Sequence, residues 1–353
     1  MTPDGLHVVV PGPLDQLTGG YVYDARMVAG LRELGWRVQV HSLAGRFPEP
    51  DETARDAMNA TLGSLPDGSR VLIDGLAMGG LPDPVEAHAD RLRILSLVHH
   101  PLAEETGLSD AERLSFSDRE RRALRSCVGV LVSSDFTARV LDLYGVAASR
   151  IKAVLPGTEP APPAEGPRPG EPPVLLCVAS VTPRKGHDVL VHALERVSDL
   201  TWKCVCAGGL DRDPEYARSV LRSVAEAGLA GRVDFIGERD AEGLAQLYHG
   251  ASVFALASHY EGYGMALGEA LAHGLPVVST TGGAIPFTVP ADAGILVSPG
   301  DAAGFAEALR TLLSPHTTLR ARLASGARRH AEALPTWRES AEAFAAAIEE
   351  LAR

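Results

Sequence analysis

Two carboxylates eight positions apart flank the start of one short helix in the C-terminal half of the chain. Glu261 stands in a glycine-punctuated loop, and Glu269 lies on the helix that follows. A buried charge without a partner is expensive, so carboxylates at such a place indicate a polar ligand. A helix that begins after a glycine turn also offers N–H groups and a positive dipole end to an anion. This order predicts a sugar, a phosphate group and a ribose lying in a row.

The stretch from Glu261 to Val278 resembles the E-x7-E signature of the retaining glycosyltransferases of family 4, which have the GT-B fold. The resemblance implies that Glu261 holds hydroxyls of the donor sugar and that Glu269 holds those of the ribose. It also implies that the backbone around the helix start faces the diphosphate. The donor-binding residues implied between the two carboxylates are Gly262, Tyr263, Gly264, Met265, Ala266 and Leu267.

A basic pair, Arg184 and Lys185, stands between an apolar run and a predicted helix. The C-terminal ends of strands in an open α/β sheet are where ligands bind. A departing diphosphate accumulates negative charge, which two cations can neutralise without a metal ion. The stretch is similar to the family's G-R-x-x-x-x-K-G motif, which implies that Lys185 binds phosphate. Ser180 stands where the family has its arginine, so Arg184 is the candidate for the second positive charge.

Candidates in the N-terminal half rest on shorter patterns. Gly19 and Gly20 permit a close backbone approach to a ligand and match the family's Gly-Gly loop, with a simple turn as an equal alternative. His99 follows a predicted strand and matches a histidine that lies beside the donor sugar in related enzymes. A core or surface histidine is the alternative for that position. The acceptor-side candidates are Tyr21, His100 and Glu104.

Three other patterns receive a structural interpretation. Asp211-Arg-Asp213 looks like the metal-binding D-x-D of another glycosyltransferase fold, but we expect it to cap the helix from Pro214. Neither a metal nor a cofactor is predicted. Phe287 stands where the family has a glutamate, which is a departure from its pattern. The basic run 119–125 is predicted as a solvated helix face, and contact with a membrane surface is the less favoured alternative.

The bulk composition limits the class of protein. The chain has 353 residues, of which 45% are hydrophobic, and its formal net charge is −12. The length suits two domains, and the charge argues against nucleic-acid binding. The apolar runs are too short for a membrane span, and the N-terminus lacks the pattern of a signal peptide. The four cysteines lack metal spacing, so we expect buried, reduced thiols in a cytoplasmic protein.

Alternating strands and helices predict two Rossmann-like, doubly wound α/β domains that face an interdomain cleft, as in GT-B enzymes. Segment 158–173 is rich in proline, which helix interiors and central strands exclude, so we predict a stiff linker there. Residues 1–157 would form the acceptor-side domain and residues 174–336 the nucleotide-sugar domain. The resemblance implies that the helix in 337–353 returns to the first domain. The predicted strands are 6–10, 37–42, 70–73, 93–98, 127–132, 151–155, 174–179, 202–207, 233–236, 253–256, 276–279 and 295–297.

The sequence thus predicts a retaining, metal-independent glycosyltransferase that moves a hexosyl unit from a nucleoside-diphosphate sugar to a small-molecule, glycan or lipid-linked acceptor. No side chain is placed as a covalent nucleophile beside a base, and the resemblance implies a front-face displacement in which the leaving diphosphate takes the acceptor proton. Glu261 and His99 would orient the sugar. A nucleotide-sugar isomerase or hydrolase of the same fold and a non-catalytic nucleotide-sugar-binding subunit remain alternatives. A dehydrogenase is disfavoured because the dinucleotide fingerprint is missing.

Overall fold

The structure is a computed structural model that describes residues 5–314 and 318–353. Its strands are β1 (Leu6–Pro11), β2 (Val38–Leu43), β3 (Arg70–Asp74), β4 (Arg93–Val98), β5 (Gly129–Val132), β6 (Ile151–Ala153), β7 (Val174–Val178), β8 (Lys203–Ala207), β9 (Val233–Gly237), β10 (Val253–Ala255), β11 (Val277–Thr280) and β12 (Gly294–Val297). Its helices are α1 (Gly19–Glu33), α2 (Glu52–Ser64), α3 (Gly75–Met78), α4 (Pro82–His88), α5 (Asp110–Arg125), α6 (Asp135–Asp142), α7 (His187–Glu195), α8 (Pro214–Glu226), α9 (Ala241–Gly250), α10 (Met265–Ala272), α11 (Ile285–Thr288), α12 (Ala302–Leu313), α13 (Leu319–Ala331) and α14 (Trp337–Leu351).

The chain divides into two compact units, of which the first comprises Met1–Gly157 and Pro335–Arg353. Its six strands form a parallel sheet in the order β2-β1-β3-β4-β5-β6. The central strands are apolar along their length because helices cover both faces of such a sheet. Helix α14 belongs to this unit, where Ser340 donates a hydrogen bond to the carbonyl oxygen of Leu155 at 2.8 Å. Phe344 on the same helix is fully buried.

The second unit comprises Thr158–Leu334 and contains a second parallel sheet in the order β12-β11-β10-β7-β8-β9. Strands β7 and β10 lie side by side at its centre, with Leu176 in register with Phe254. The proline-rich segment 158–173 belongs to this unit. Its backbone N–H groups at Ala164 and Gly166 donate to the carbonyl oxygens of His273 and His249, respectively.

All twelve predicted strands are present, and their ends fall within two residues of the predicted ones. The prediction that Gly19 and Gly20 lie in a loop was wrong, because both are in the first turn of α1. Thr18 is extended (φ −117°, ψ 156°), and its carbonyl oxygen accepts the first helical hydrogen bond from Val22. The helix therefore begins at Gly19, directly after the extended Thr18, and neither glycine has a loop conformation.

Among the described residues, no helix combines the length and the apolar character that a membrane crossing requires. All four cysteines, at positions 127, 177, 204 and 206, are buried and form no disulfide. Asp213 caps α8 as predicted, since its side chain accepts a hydrogen bond from the backbone N–H of Tyr216 at 3.0 Å.

Candidate functional site

The second unit brings Glu261 together with the predicted basic pair. Lys185 Nζ lies 2.6 Å from Glu261 Oε1, and Arg184 Nη1 lies 3.6 Å from Glu261 Oε2. Ser258 Oγ donates a second hydrogen bond to Oε1 at 2.6 Å. Glu261 is only 4% exposed, so these partners, and not solvent, stabilise its negative charge. Two cations thus contact one carboxylate in this cluster.

The charges around Glu261 outweigh its burial. Burial alone would raise the pKa of Glu261, because it penalises the charged carboxylate. The charges of Lys185 and Arg184, with hydrogen bonds from Lys185 and Ser258, instead hold this pKa below its ordinary value. Glu261 is therefore an ionised acceptor over the whole neutral range.

A glycine turn sets the position of the basic pair. Arg184 and Lys185 lie in a 3₁₀ turn, Pro183–Lys185, between β7 and α7, and Gly186 ends the turn with φ +63°. A Cβ atom on Gly186 would stand 2.1 Å from the carbonyl oxygen of Ala257. Only glycine permits both the left-handed backbone and this close approach of the turn to the segment after β10. Lys185 therefore reaches Glu261 because residue 186 has no side chain.

A second glycine loop fixes the backbone of Glu261. The carbonyl oxygen of Glu261 accepts a hydrogen bond from Ala284 N at 2.8 Å, and Glu261 forms a parallel bridge with Gly283. A Cβ atom on Gly283, whose φ is +63°, would lie 2.3 Å from that carbonyl oxygen. The loop that follows β11 thus packs directly on the carboxylate loop. Phe287, on α11 just beyond it, keeps 52% of its surface exposed.

Glu269 has its own set of partners on α10. Its Oε2 accepts a hydrogen bond from the hydroxyl of Tyr248 at 2.8 Å, and the same hydroxyl lies 3.2 Å from the carbonyl oxygen of Ala266. Tyr248 is buried and stacks on His273, with ring centroids 5.2 Å apart. Burial, followed by the charge of Glu269, raises the pKa of Tyr248, which keeps the phenol protonated as a donor. The second carboxylate is therefore oriented by a buried tyrosine.

The predicted anion site at the start of α10 depends on Gly264. This residue precedes the helix with φ +89°, and Met265 is the first helical residue. The carbonyl oxygen of Gly264 accepts hydrogen bonds from Leu267 N and Gly268 N, at 2.9 and 3.3 Å. The side chain of Leu267 is buried, and the side chains of Met265 and Ala266 are half-buried. Side-chain packing and backbone bonds together fix the first turn of α10.

The first unit places His99 between two buried carboxylates that the sequence analysis did not identify. His99 Nε2 lies 3.0 Å from Asp24 Oδ1 and 3.4 Å from Asp74 Oδ2. Asp74 ends β3, His99 directly follows β4, and these neighbouring parallel strands end at the same edge of the sheet. Asp24 reaches the cluster from α1, and Gly20 allows the approach, since a Cβ there would stand 3.1 Å from the His99 ring. A carboxylate at the end of β3 was a signal that could have identified Asp74.

The pKa of His99 reports the balance between burial and charge. Burial alone would lower this pKa, but the charge of Asp24 and hydrogen bonds from the ring to Asp24 and Asp74 raise it to about 10. Burial, together with the charge of Asp74, raises the pKa of Asp24 to about 7 against the opposing effect of His99. Among the described residues this is the one group of three side chains that could also hold a metal ion, with ligand atoms within 4.8 Å of one another. His99 Nε2 lies 3.0 and 3.4 Å from the two carboxylate oxygens, which a proton on this nitrogen accounts for. We therefore interpret the three side chains as joined by hydrogen bonds.

The acceptor-side candidates contact other segments of the first unit. The hydroxyl of Tyr21 donates to the carbonyl oxygen of Pro11, and His100 Nε2 lies 3.4 Å from Glu105 Oε2. Glu104 lies in a 3₁₀ turn, Leu102–Glu104, which follows the histidine pair. The buried carboxylate of Glu120 accepts hydrogen bonds from the first two backbone N–H groups of this turn. Position 120 was missed in the sequence because it stands within the basic run of α5.

Comparisons with known proteins give three findings. Residues 172–315 match the family model described as glycosyl transferases group 1. The D-inositol 3-phosphate glycosyltransferase of Xylanimonas cellulosilytica is 34% identical over 202 residues, which are 53% of this chain and 48% of that protein. The chain thus spans about half the length of this curated relative.

The third finding comes from solved structures. Sucrose-phosphate synthase from Thermosynechococcus elongatus superposes with a TM-score of 0.81 at 21% identity, covering 96% of this chain and 97% of that one. Anabaena HepE in complex with UDP and glucose superposes with a TM-score of 0.73 at 16% identity, covering 97% and 99%. At these identities the likeness concerns the fold, and it confirms the predicted GT-B class with two Rossmann-like α/β domains.

Proposed function

We propose that this chain is a retaining glycosyltransferase that moves a hexosyl unit from a nucleoside-diphosphate sugar to a hydroxyl acceptor. The observation that carries the proposal is the cluster of Lys185, Arg184 and Glu261 in the second unit. It joins the turn after β7 to the loop after β10, beside the N-terminal end of α10. The match to glycosyl transferases group 1 includes all of these residues. Two basic side chains next to a helix N-terminus are suited to a diphosphate.

In this proposal the basic pair stabilises the leaving group. As the bond between the sugar and the diphosphate breaks, the electron pair stays on the diphosphate, and Lys185 and Arg184 neutralise that charge. The acceptor hydroxyl attacks the same face of the sugar and passes its proton to the departing diphosphate oxygen. Glu261, already ionised, accepts hydrogen bonds from sugar hydroxyls in place of part of its present contacts. No metal ion is required for these steps.

The other predicted residues receive roles along the donor. Glu269, oriented by Tyr248, would accept hydrogen bonds from the ribose hydroxyls, because an ionised carboxylate is an acceptor for neighbouring hydroxyl donors. The first turn of α10 would bind the phosphates through its backbone N–H groups.

The relatives suggest which substrates to test first. UDP and glucose are the molecules named with HepE, and D-inositol 3-phosphate is named with the Xylanimonas enzyme. We therefore propose UDP-glucose as the first donor and D-inositol 3-phosphate as the first acceptor. A GDP-linked donor and other hydroxyl acceptors complete the panel.

Donor binding is the first experiment. Isothermal titration with UDP-glucose, UDP-N-acetylglucosamine and GDP-mannose should give saturable binding of at least one of them. We expect Lys185→Ala to weaken that binding about 10- to 100-fold, because a charge-assisted contact contributes about 1.5–3 kcal/mol. Lys203→Ala is the matched control, since this lysine is exposed at the start of β8. A chain that binds none of the three donors would contradict the proposal.

Turnover separates the proposed activity from its alternatives. Transfer with an unchanged anomeric configuration, read by nuclear magnetic resonance of the product, is the expected result. Breakdown or conversion of the donor without any acceptor would favour a hydrolase or an isomerase. The departures from the family pattern at Ser180 and Phe287 keep a second candidate open, a non-catalytic nucleotide-sugar-binding subunit. Tight donor binding without turnover on any acceptor would support that candidate.

A further inference from the structure

The buried carboxyl group of Glu120, on α5, supports the 3₁₀ turn Leu102–Glu104 of the first unit. The side chain is almost fully buried. Its Oε1 accepts a hydrogen bond from Leu102 N at 2.8 Å, and its Oε2 lies 3.4 Å from Ala103 N. The first distance is that of a normal hydrogen bond, and the second is longer than normal. This asymmetry suits a neutral carboxylic acid, which has less acceptor capacity at its hydroxyl oxygen.

The packing around this carboxyl group leaves little room for solvent. A Cβ on Gly79 would stand 2.9 Å from Glu120 Cγ and 2.7 Å from Leu102 Cδ1. Leu102 and Ala103 form a small buried cluster with Phe116 of α5, which is separate from the larger core of the unit. Segments with few buried apolar contacts open locally at a lower cost than the core does. The turn can therefore open while the sheet stays folded.

Three arginines of α5 stand close to Glu120 in the chain but contact other groups. These contacts are the carbonyl oxygen of Ala103 for Arg113, Glu49 Oε1 for Arg119, at 2.8 Å, and Asp83 Oδ1 of α4 for Arg122, at 2.6 Å. Glu120 itself is bound by backbone N–H groups and not by a cation.

The pKa of Glu120 agrees with this geometry. Burial raises it to about 7 against the hydrogen bonds from the two backbone N–H groups. The negative charge of Glu104, in the turn itself, adds to the rise, and the charge of Arg119 opposes it. Burial, followed by the charge of Glu120, raises the pKa of Tyr144, which stays a neutral phenol and lies under Arg121 at 5.4 Å.

We infer that Glu120 is a pH-sensitive latch, which keeps the 102–104 turn closed while it is neutral and releases the turn when it ionises. A buried carboxylate without a bound cation is costly, so ionisation favours the state in which water reaches Glu120. The turn carries Glu104 and comes shortly after His100, which lies 3.4 Å from Glu105 on the other side of the turn. The consequence for an acceptor at these residues rests on the proposed function.

Linkage gives the direction and the size of the effect. The pKa of Glu120 is about 7 in the closed turn, against an ordinary value of 4.5. Its proton therefore stabilises the closed turn fully below pH 4.5, and this contribution is lost as the pH rises through about 7. Between pH 5.5 and pH 8.5, the equilibrium constant for opening should rise about 30-fold.

The first test reads the ionisation of Glu120 directly. The whole protein is labelled with ¹³C-glutamate, the carboxyl signal of Glu120 is assigned with Glu120→Gln, and this signal is followed from pH 4 to pH 9. We expect a midpoint near pH 7. A midpoint at or below 4.5 would overturn the inference, because the carboxylate would then be charged throughout the neutral range.

The second test measures the opening of the turn by amide hydrogen exchange. Protection factors of the Leu102 and Ala103 amides are followed from pH 5.5 to pH 8.5, and the amides of β4 report on unfolding of the sheet. We expect wild-type protection at the turn to fall about 30-fold, with a smaller change in β4. Glu120→Gln is neutral at every pH, so its protection should stay constant and exceed that of wild type at pH 8.5. Asp118→Asn, which removes an exposed carboxylate of the same helix, is the matched control and should follow wild type.

The outcomes separate this inference from the proposed function. Protection that rises or stays constant with pH in wild type would overturn the latch, and an equal fall across β4 would assign the effect to the whole unit and overturn it as well. Neither measurement uses a substrate, so a chain that transfers no sugar would overturn the proposed function and leave the latch standing.

An active enzyme permits one more comparison. The KM for the acceptor should rise with pH in wild type and stay constant in Glu120→Gln, because only the wild-type turn opens. An equal rise in both proteins would remove the acceptor from the inference. If Glu120→Gln does not fold, the exchange of the wild-type amides still decides whether the latch exists.

Discussion

Replacing Lys185 with methionine tests whether the buried cluster is a true ion pair. The change keeps most of the apolar stem and removes the charge that lies 2.6 Å from Glu261. With an effective dielectric constant of about 20, Coulomb's law gives an attraction of about 6 kcal/mol at that distance and about 5 kcal/mol for Arg184 at 3.6 Å. Because the desolvation of both ions offsets much of this, the net effect is smaller than the gross attraction.

The expected cost follows from what remains around Glu261. Loss of one partner of a buried pair typically costs about 3–5 kcal/mol. Here Arg184 and the hydroxyl of Ser258 still contact the carboxylate, so we expect Lys185→Met to lower the free energy of unfolding by about 2–4 kcal/mol. Glu261→Gln in the same background should recover part of the loss, since no buried charge is then left without its closest partner.

The pH dependence of this loss has a defined sign. The pKa of Glu261 is lowered in the folded protein, so its stabilising contribution is present above the unfolded pKa and is lost as the pH falls through the folded one. Removal of Lys185 raises the folded pKa of Glu261. The destabilisation by Lys185→Met should therefore be largest at neutral pH. It should shrink as the pH falls through the folded pKa of Glu261 in the variant and then through the lower one in the wild-type protein.

Urea unfolding can be followed in the second unit alone. Trp202 is the tryptophan of that unit, and in a background of Trp36→Phe and Trp337→Phe its fluorescence reports on the unit that contains the cluster. Lys203→Met, the exposed control, should change the free energy of unfolding by less than about 0.5 kcal/mol. A loss of less than 0.5 kcal/mol in Lys185→Met at pH 7.5, or strict additivity with Glu261→Gln, would refute the ion-pair reasoning.

Three further predictions address other parts of the molecule. Gly186→Ala should destabilise the second unit by more than about 3 kcal/mol in urea unfolding, because its Cβ would stand 2.1 Å from the carbonyl oxygen of Ala257. Gly228→Ala is the control, since Gly228 also has a positive φ but has open space around it, and it should cost only about 1 kcal/mol. Glu269→Gln should weaken UDP binding about 10-fold and narrow the preference for UDP over 2′-deoxy-UDP in titration calorimetry, and an unchanged preference would contradict the ribose assignment. Thr336→Ala should lower the free energy of unfolding of the first unit by about 1 kcal/mol, since it breaks the capping box with Glu339 at the start of α14. An unchanged thermal unfolding transition would contradict this role of the cap.

The sequence was informative wherever local chemistry determines structure. Every strand was predicted to within two residues, because buried parallel strands are continuous apolar runs with few other interpretations. The capping role of Asp213 followed from its place before Pro214. The E-x7-E stretch and the basic pair were identified because each lies within one short segment. Helix α1 was the exception, since a Thr-Gly-Gly sequence is typical of a loop and a helix start alike.

Contacts between distant segments were not available from the sequence. Residues 24, 74 and 99 are separated by 50 and 25 positions, and only the parallel order of β3 and β4, with α1 above them, brings these side chains within hydrogen-bond distance. The sequence by itself identified Glu261 and Lys185 as candidate site residues, because motif spacing indicates which residue types follow strands and precede helices. Only the tertiary structure decided that Lys185 pairs with Glu261 and that two carboxylates enclose His99, because burial and charge proximity depend on which strand ends become neighbours.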